Sequence, residues 1–283
     1  MAKSKINGVR PISETDVREY LATAADFSFE MRVLEQLRGL DFQCQHGGMY
    51  RDSVTGKPRQ FDIHAERSVR LVDFQNAAYR LRLAVECTNL RDTSPLLVHA
   101  TRRTDAEAYH ELVVRRPANN PQLPDWPMTR RVKERASTYP AGEWVGKSTD
   151  QIARKKDGTG FQGSDTEAWD KIAQAVSSAE AVFHDAVDRG RRPEAQVVIP
   201  MLVVPDGRLW QVAYSDTGAV ADGPTLVPRA TYFYDNRWDY QGEYRGNYSV
   251  SHVEIVTPSA ISERVKDLTG WKGPFGLDEA IFA

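Results

Sequence analysis

Three acidic residues in the first third of the sequence have the types and spacing of a divalent-metal site. Glu30 lies in a segment with helical apolar spacing, Asp62 lies in a strand-like segment, and Glu86 follows an apolar strand-like run. Carboxylate oxygens are the hard ligands that Mg²⁺ and Mn²⁺ take in proteins, and a site with few protein ligands leaves room for water and phosphate. The three acids therefore predict metal-dependent hydrolysis of a phosphodiester.

The segments that carry these acids predict a scaffold that can bring them together. Apolar residues recur on one helical face over residues 27–40, and strand-like stretches follow at 41–50, 60–66, 69–74 and 79–87. Side chains alternate between the two faces of a strand, so Phe61 and Ile63 should point away from Asp62. The alternative is that these are three unrelated surface acids, since the chain has 39 acidic residues. Glu86 argues against it, because burying a carboxylate costs free energy unless it is paired or ligated.

Residues 27–99 resemble the PD-(D/E)XK nuclease superfamily, which has the restriction-endonuclease-like fold. The resemblance rests on the order of three features along the chain. They are a helix acid at Glu30, a strand aspartate at Asp62, and Glu86-Cys87-Thr88 in the place of the family's Glu-x-Lys motif. It implies that Asp62 and Glu86 bind Mg²⁺ or Mn²⁺, with the Cys87 backbone carbonyl as a further ligand and Glu30 as a supporting acid. The implied activity is that of a nucleic-acid phosphodiesterase, with DNA as the expected substrate, in DNA processing or anti-phage defence.

Thr88 occupies the position where this family has a lysine that orients or activates the attacking water. A threonine supplies no positive charge for the water or for the charge that develops at phosphorus. The predicted catalytic positions are thus Glu30, Asp62, Glu86 and Thr88, with a cation missing. Two interpretations remain open. Either another cation reaches the site, or the domain is catalytically inactive and binds nucleic acid or a protein partner. The candidate cations are Lys147, Lys155, Lys156 and Arg102.

Composition bounds the class of protein. The chain has 283 residues, of which 41% are hydrophobic and 27% charged, and its formal net charge is −2. This charge excludes bulk electrostatic attraction to nucleic acid but leaves a local basic face possible. Two cysteines, Cys44 and Cys87, are too few for a disulfide framework, and the N-terminus lacks the apolar core of a signal peptide. So few cysteines suit a reducing cytoplasm, which is the expected location. No apolar run is long enough to span a membrane, so no membrane partner is expected.

The second half of the sequence predicts additions to the same sheet. A helix begins after Ser164, apolar strand-like runs cover residues 196–204 and 209–214, and further strands at 231–234 and 249–257 precede a helix at 260–268. We expect a nuclease-like core over residues 1–114, an irregular insertion over 115–148, and a helix plus strands over 149–283. The predicted fold class is α/β, with a restriction-endonuclease-like mixed sheet flanked by helices and extended by C-terminal strands and helices within one domain.

Residues 147–156 are the predicted nucleic-acid contact. Residues 149–156 are expected to form a short helix, on which Gln151 and Lys155 share one face, and Lys147 and Arg154 add positive charge for phosphates. The alternative is a solvated surface loop. Residues 141–148 also fit a loose form of the phosphate-binding loop, which leaves a nucleotide-binding regulator that uses Lys147 as a third, weaker hypothesis.

Aromatic residues cluster between residues 232 and 248. Interleaved with Arg237 and Arg245, they could stack on bases, but packing on the sheet or contact within a homodimer is the favoured interpretation. The aromatic residues are Tyr232, Phe233, Tyr234, Trp238, Tyr240, Tyr244 and Tyr248. The six histidines show no metal-binding spacing, so a zinc site is not predicted.

Overall fold

The computed structural model describes residues 10–23, 25–53, 55–70, 78–91, 93–115, 128–133, 137–164, 166–189, 194–241 and 245–269. The helices are α1 (Glu14–Thr23), α2 (Asp26–Gly39), α3 (Thr166–Arg189) and α4 (Pro258–Thr269). The strands are β1 (Gln43–Arg51), β2 (Pro58–Arg70), β3 (Ala78–Cys87), β4 (Leu96–Arg102), β5 (Tyr109–Arg115), β6 (Met128–Lys133), β7 (Trp144–Arg154), β8 (Phe161–Ser164), β9 (Glu194–Val203), β10 (Leu209–Tyr214), β11 (Val220–Leu226), β12 (Arg229–Gln241) and β13 (Arg245–Val256).

The strands of the described ranges form one mixed sheet. Its main order is β1-β2-β3-β9-β13-β12-β7-β4-β10-β11, with β5, β6 and β8 attached beside this path. Strands β1, β2 and β3 pair antiparallel, whereas β3 pairs parallel with β9, and β9 pairs parallel with β13. The predicted α/β class with a mixed sheet is confirmed, and strands from the second half of the chain lie directly beside β3.

Two hydrophobic clusters cover opposite faces of this sheet. Leu81, Leu83 and Val85 of β3 pack in one cluster with apolar residues of α2 and α4. Ala84 of β3 belongs to the other cluster, which contains the apolar stripe of α3. Because side chains alternate along a strand, even-numbered residues of β3 face α3, and Glu86 continues that series.

Several predicted elements match the structure closely. The helix predicted for residues 27–40 is α2, and the helix predicted after Ser13 is α1, where Asp16 accepts a hydrogen bond from the Ser13 backbone N–H at 2.7 Å. The strands predicted at 60–66 and 69–74 begin as one continuous strand, β2, and residues 71–74 lie outside the described residues. No helix in the described ranges is long and apolar enough to cross a membrane.

The prediction of a short helix at residues 149–156 is wrong. These residues belong mostly to β7, which pairs with β4 on one side and with β8 on the other. Buried Thr149 and Gln151 alternate with more exposed neighbours, and strand pairing on both sides outweighs the weak helical signal of a polar segment. The segment 115–148, predicted to be an irregular insertion, contains β6 and the beginning of β7, while residues 116–127 and 134–136 lie outside the described residues.

Candidate active site

Asp62 and Glu86 lie side by side on neighbouring strands. Strands β2 and β3 are antiparallel, with Ile63 opposite Val85, so the next residues along, Asp62 and Glu86, occupy adjacent positions on the face that α3 covers. Asp62 is 7% exposed and Glu86 is fully buried. The backbone N–H of Cys87 donates a hydrogen bond to Asp62 Oδ2 at 2.7 Å, which fixes this carboxylate against the end of β3.

Lys171 of α3 bridges the two acids. Its Nζ lies 3.4 Å from Asp62 Oδ2 and 3.4 Å from Glu86 Oε2. The Lys171 side chain is 27% exposed, so it is largely but not fully buried. A cation therefore lies at the two carboxylates although position 88 is a threonine, and it comes from a helix that the sequence analysis did not connect with the site.

The environment of Glu86 opposes its ionisation. Burial raises the pKa of Glu86 to about 9, with a further contribution from the charge of Asp62, and Lys171 acts in the opposite direction. Burial lowers the pKa of Lys171, but its interactions with Asp62 and, after that, with the Glu86 carboxyl group leave this pKa raised. At neutral pH the site thus combines a protonated Glu86 with a charged Lys171, and Glu86 Oε1 is buried with no hydrogen-bond partner.

Glu30 lies beside this centre rather than in it. Its Oε2 is 3.1 Å from His46 Nε2, and its side chain is 13% exposed. Burial raises the pKa of Glu30, the charge of Asp62 raises it further, and His46 opposes both. Glu30 is therefore near enough to Asp62 for that charge to shift its pKa, while its direct contact is with His46 of β1.

Cys87 and Thr88 close the end of β3. The Cys87 thiol is buried in the cluster under α2 and α4, and burial together with the neighbouring carboxylates raises its pKa well above the ordinary value. It is therefore uncharged at neutral pH and a poor nucleophile. Thr88 is 3% exposed, and its backbone N–H donates to the Val203 carbonyl at the end of β9 at 3.0 Å.

A line of polar residues on α3 positions Lys171. Gln174 Nε2 donates to the Gln60 carbonyl at 2.7 Å, and Ser178 Oγ lies 2.7 Å from His64 Nε2. Burial lowers the pKa of His64 to about 4, so this histidine is neutral near pH 7. Lys171, Gln174 and Ser178 are three and four residues apart, hence on one side of the helix. This polar line beside the apolar stripe is the signal in the sequence that identifies the side of α3 facing β2.

The residues predicted to bind nucleic acid lie along β7 and the turn after it. Lys147 forms an ion pair with Glu107, and its Nζ lies 4.7 Å from the centre of the Phe233 ring. Gln151 is buried, whereas Arg154 and Lys155 are exposed. Because these residues belong to a strand and a turn, Gln151 and Lys155 do not share a helical face.

The third hypothesis, a phosphate-binding loop at residues 141–148, does not agree with the structure. Gly146 lies inside β7 opposite Tyr232 of β12, and a Cβ atom there would come within 2.6 Å of Val98 Cγ1. Lys147 and Ser148 continue the strand and do not open a helix, as such a loop requires. Gly146 is therefore explained by close packing of strands.

The described residues of the aromatic cluster pack mainly against α3. The Trp238 and Tyr248 rings stack on each other, and both are nearly fully buried. Tyr248 also stacks on Phe183 of α3, and the Trp238 ring lies tilted against Phe183 with ring centroids 5.8 Å apart. Trp169 of α3 stacks on Tyr234, with ring centroids 5.7 Å apart. The side chains of residues 240 and 244 lie outside the described residues.

Among the described residues, no group of three or more His, Cys, Asp and Glu side chains is arranged to hold a metal ion. Asp62 and Glu86 form a pair of carboxylates, which is smaller than such a group. Glu86 Oε1 has no hydrogen-bond partner and is therefore available as a metal ligand. No family model matches the chain, and neither curated proteins nor solved structures give a match.

Proposed function

We propose that this protein is a metal-dependent nucleic-acid phosphodiesterase of the PD-(D/E)XK type, with a restriction-endonuclease-like core and DNA as its substrate. In this proposal Lys171 takes the part of the lysine that is missing at Thr88. The observation that carries the proposal is the contact of one ammonium nitrogen with both carboxylates, at 3.4 Å each. Two strand acids and one cation with a partly exposed side chain are the groups that this chemistry requires.

The acids present fit Mg²⁺ or Mn²⁺. Asp62 and Glu86 offer carboxylate oxygens, and one Glu86 oxygen is buried without a hydrogen-bond partner, which is the expected condition of a ligand atom. The Cys87 carbonyl would complete the protein's ligands. When bound, such an ion polarises a phosphoryl oxygen and lowers the pKa of a coordinated water.

The side chains divide the remaining work between them. Lys171 offers three N–H donors and a positive charge, which can orient a water molecule and stabilise the negative charge that develops on the phosphoryl group. The Cys87 N–H holds Asp62, and the hydrogen bonds of Gln174 and Ser178 hold the helix that carries Lys171. Glu30 contributes negative charge beside the site, and its direct contact is with His46.

Cleavage of DNA by the purified protein tests the proposal. Plasmid DNA and a labelled oligonucleotide would be incubated with Mg²⁺ or Mn²⁺, and the rates compared for the wild type, Lys171→Met and Lys266→Met. Removing a charge that stabilises the transition state should lower the rate by about 10²–10³-fold in Lys171→Met. Lys266→Met is the matched control and should leave the rate nearly unchanged, since Lys266 is exposed on α4, which packs on the opposite face of the sheet from α3.

Two further measurements separate loss of activity from loss of structure. Lys171→Arg keeps the positive charge and should retain part of the activity, and circular dichroism should show that each variant is folded. Calorimetry should detect metal binding that Asp62→Asn removes. Absence of cleavage and of metal binding in the wild type would contradict the proposal and favour an inactive nuclease fold that binds nucleic acid or a protein partner.

A further inference from the structure

A groove of about 1040 Å³ is lined by residues that lie close in sequence to residues of the candidate active site. Three segments of its wall each lie a few residues away, along the chain, from a residue of the site. Asp26 begins α2 four residues before Glu30, and Asn89 follows Glu86 by three residues. Strand β8, which contributes Phe161, directly precedes the helix that carries Lys171. The Asn89 backbone N–H donates to Asp26 Oδ1 at 3.1 Å, so two of these segments are joined at the groove itself.

The wall of the groove combines aromatic faces with arginines. Phe161 is 61% exposed, and Trp210 of β10 is partly exposed, so two large apolar rings lie on one wall. Arg91 and Arg154 are exposed on the same wall, and the Arg154 guanidinium lies 4.8 Å from the centre of the Phe161 ring. Base stacking on aromatic rings, with arginines along the backbone, is the way in which proteins bind unpaired nucleic-acid strands.

We propose that this groove binds a single, unpaired nucleic-acid strand and leads its backbone to Asp62, Glu86 and Lys171. The inference rests on the proposed function and specifies its substrate as single-stranded nucleic acid. Bases stack on Phe161 and Trp210 and the arginines contact phosphates. The bases of a duplex are stacked on each other and do not present their faces to aromatic side chains, so the groove favours an unpaired strand.

Fluorescence anisotropy with a labelled single-stranded oligonucleotide tests the inference. The titration is done in EDTA, so that binding is measured without cleavage. Phe161→Leu keeps an apolar side chain but removes the ring face, and Trp210→Leu does the same deeper in the groove. Each should raise the Kd for the single strand by about tenfold, as loss of one stacking contact predicts. A duplex of the same sequence should bind more weakly than the single strand.

Trp144→Leu is the matched control. The Arg102 guanidinium lies 3.7 Å from the centre of the Trp144 ring, so Trp144 and Arg102 form another arginine–aromatic pair. Trp144 does not line the groove. This variant should bind the oligonucleotide as the wild type does. Phe161 is mostly exposed, so Phe161→Leu should have the same unfolding temperature as the wild type. Phe161→Leu therefore still tests stacking if Trp210→Leu proves less stable.

Three outcomes would overturn the inference. They are equal binding of duplex and single strand, unchanged Kd in both groove variants, or no oligonucleotide binding by the wild type. In the first two cases, cleavage that still depends on Lys171 leaves the proposed function intact and removes only the groove. The proposed function fails separately, if the strand binds in the groove but neither Mg²⁺ nor Mn²⁺ supports cleavage.

Discussion

Replacing Glu86 with glutamine should stabilise the metal-free protein, and the gain should grow as the pH rises. Burial and the charge of Asp62 raise the pKa of Glu86 to about 9, against the ordinary value near 4.3 in an unfolded chain. Between these two values the unfolded chain has lost the proton that the folded protein still holds. The free energy of unfolding must therefore fall with rising pH, and this continues up to the folded pKa.

The size of the effect follows from proton linkage. One proton held by the folded state alone changes the free energy of unfolding by about 1.4 kcal/mol per pH unit. From pH 6 to pH 8 the wild type should therefore lose about 3 kcal/mol from this group, and Glu86→Gln should lose none of it. Lys171 does not titrate in this range because its pKa is raised, so the ammonium stays paired with Asp62.

Urea unfolding in EDTA at pH 6, 7 and 8 measures this difference. The control is Glu263→Gln, which changes an exposed glutamate of α4 and should run parallel to the wild type at every pH. Adding Mg²⁺ should flatten the pH dependence of the wild type, since binding requires the ionised carboxylate and releases its proton. The same addition should have little effect on Glu86→Gln.

A constant difference between the wild type and Glu86→Gln from pH 6 to 8 would refute this reasoning. It would mean that Glu86 is ionised in the folded protein across the whole range. The attraction of Lys171 would then outweigh burial, and the site would have two charged carboxylates before any metal binds. Metal binding would in that case release no proton, which calorimetry in buffers of different ionisation enthalpy can measure.

Two further predictions concern stability away from the site. Gly146→Ala should cost about 1–3 kcal/mol in thermal or urea unfolding, because its Cβ would lie 2.6 Å from a valine methyl carbon of β4. Gly163→Ala, whose nearest neighbour would be at 3.4 Å, is the control and should cost much less. Arg264→Met should cost about 3–5 kcal/mol, because it leaves the fully buried Glu254 without its partner at 2.5 Å. Changing Glu254→Gln as well should recover part of this loss, and a double variant no more stable than the single one would contradict the explanation.

Elements with a strong period of their own were predictable from the sequence. The helix around Phe29 and Leu37 shows one apolar stripe, and β3 alternates around Leu81 and Leu83, so both were located to within a few residues. Such patterns report burial of one side of a segment, which local sequence encodes directly. The convergence of Asp62 and Glu86 was predicted only on the condition that their strands pair, and the register of β2 with β3 places them side by side.

The arrangement of the sheet was less accessible. Strand β7 was predicted as a helix because residues 149–156 are polar and lack a clear period, and only pairing with β4 and β8 makes them a strand. The position of β9 beside β3 depends on contacts between residues more than 100 positions apart, such as Glu86 with Leu202. A sequence pattern reports burial but does not report which strand provides it.

Lys171 shows why a motif that is linear in the sequence can miss the chemistry. The requirement at two carboxylates is a positive charge within a few ångströms, and any element that packs over them can supply it. In this fold α3 covers the even-numbered face of β3, and its polar line runs from Lys171 through Gln174 to Ser178, directly over β2. A threonine at position 88 is therefore compatible with a complete set of charges, because the helix and the strand together supply what the family motif concentrates in one strand.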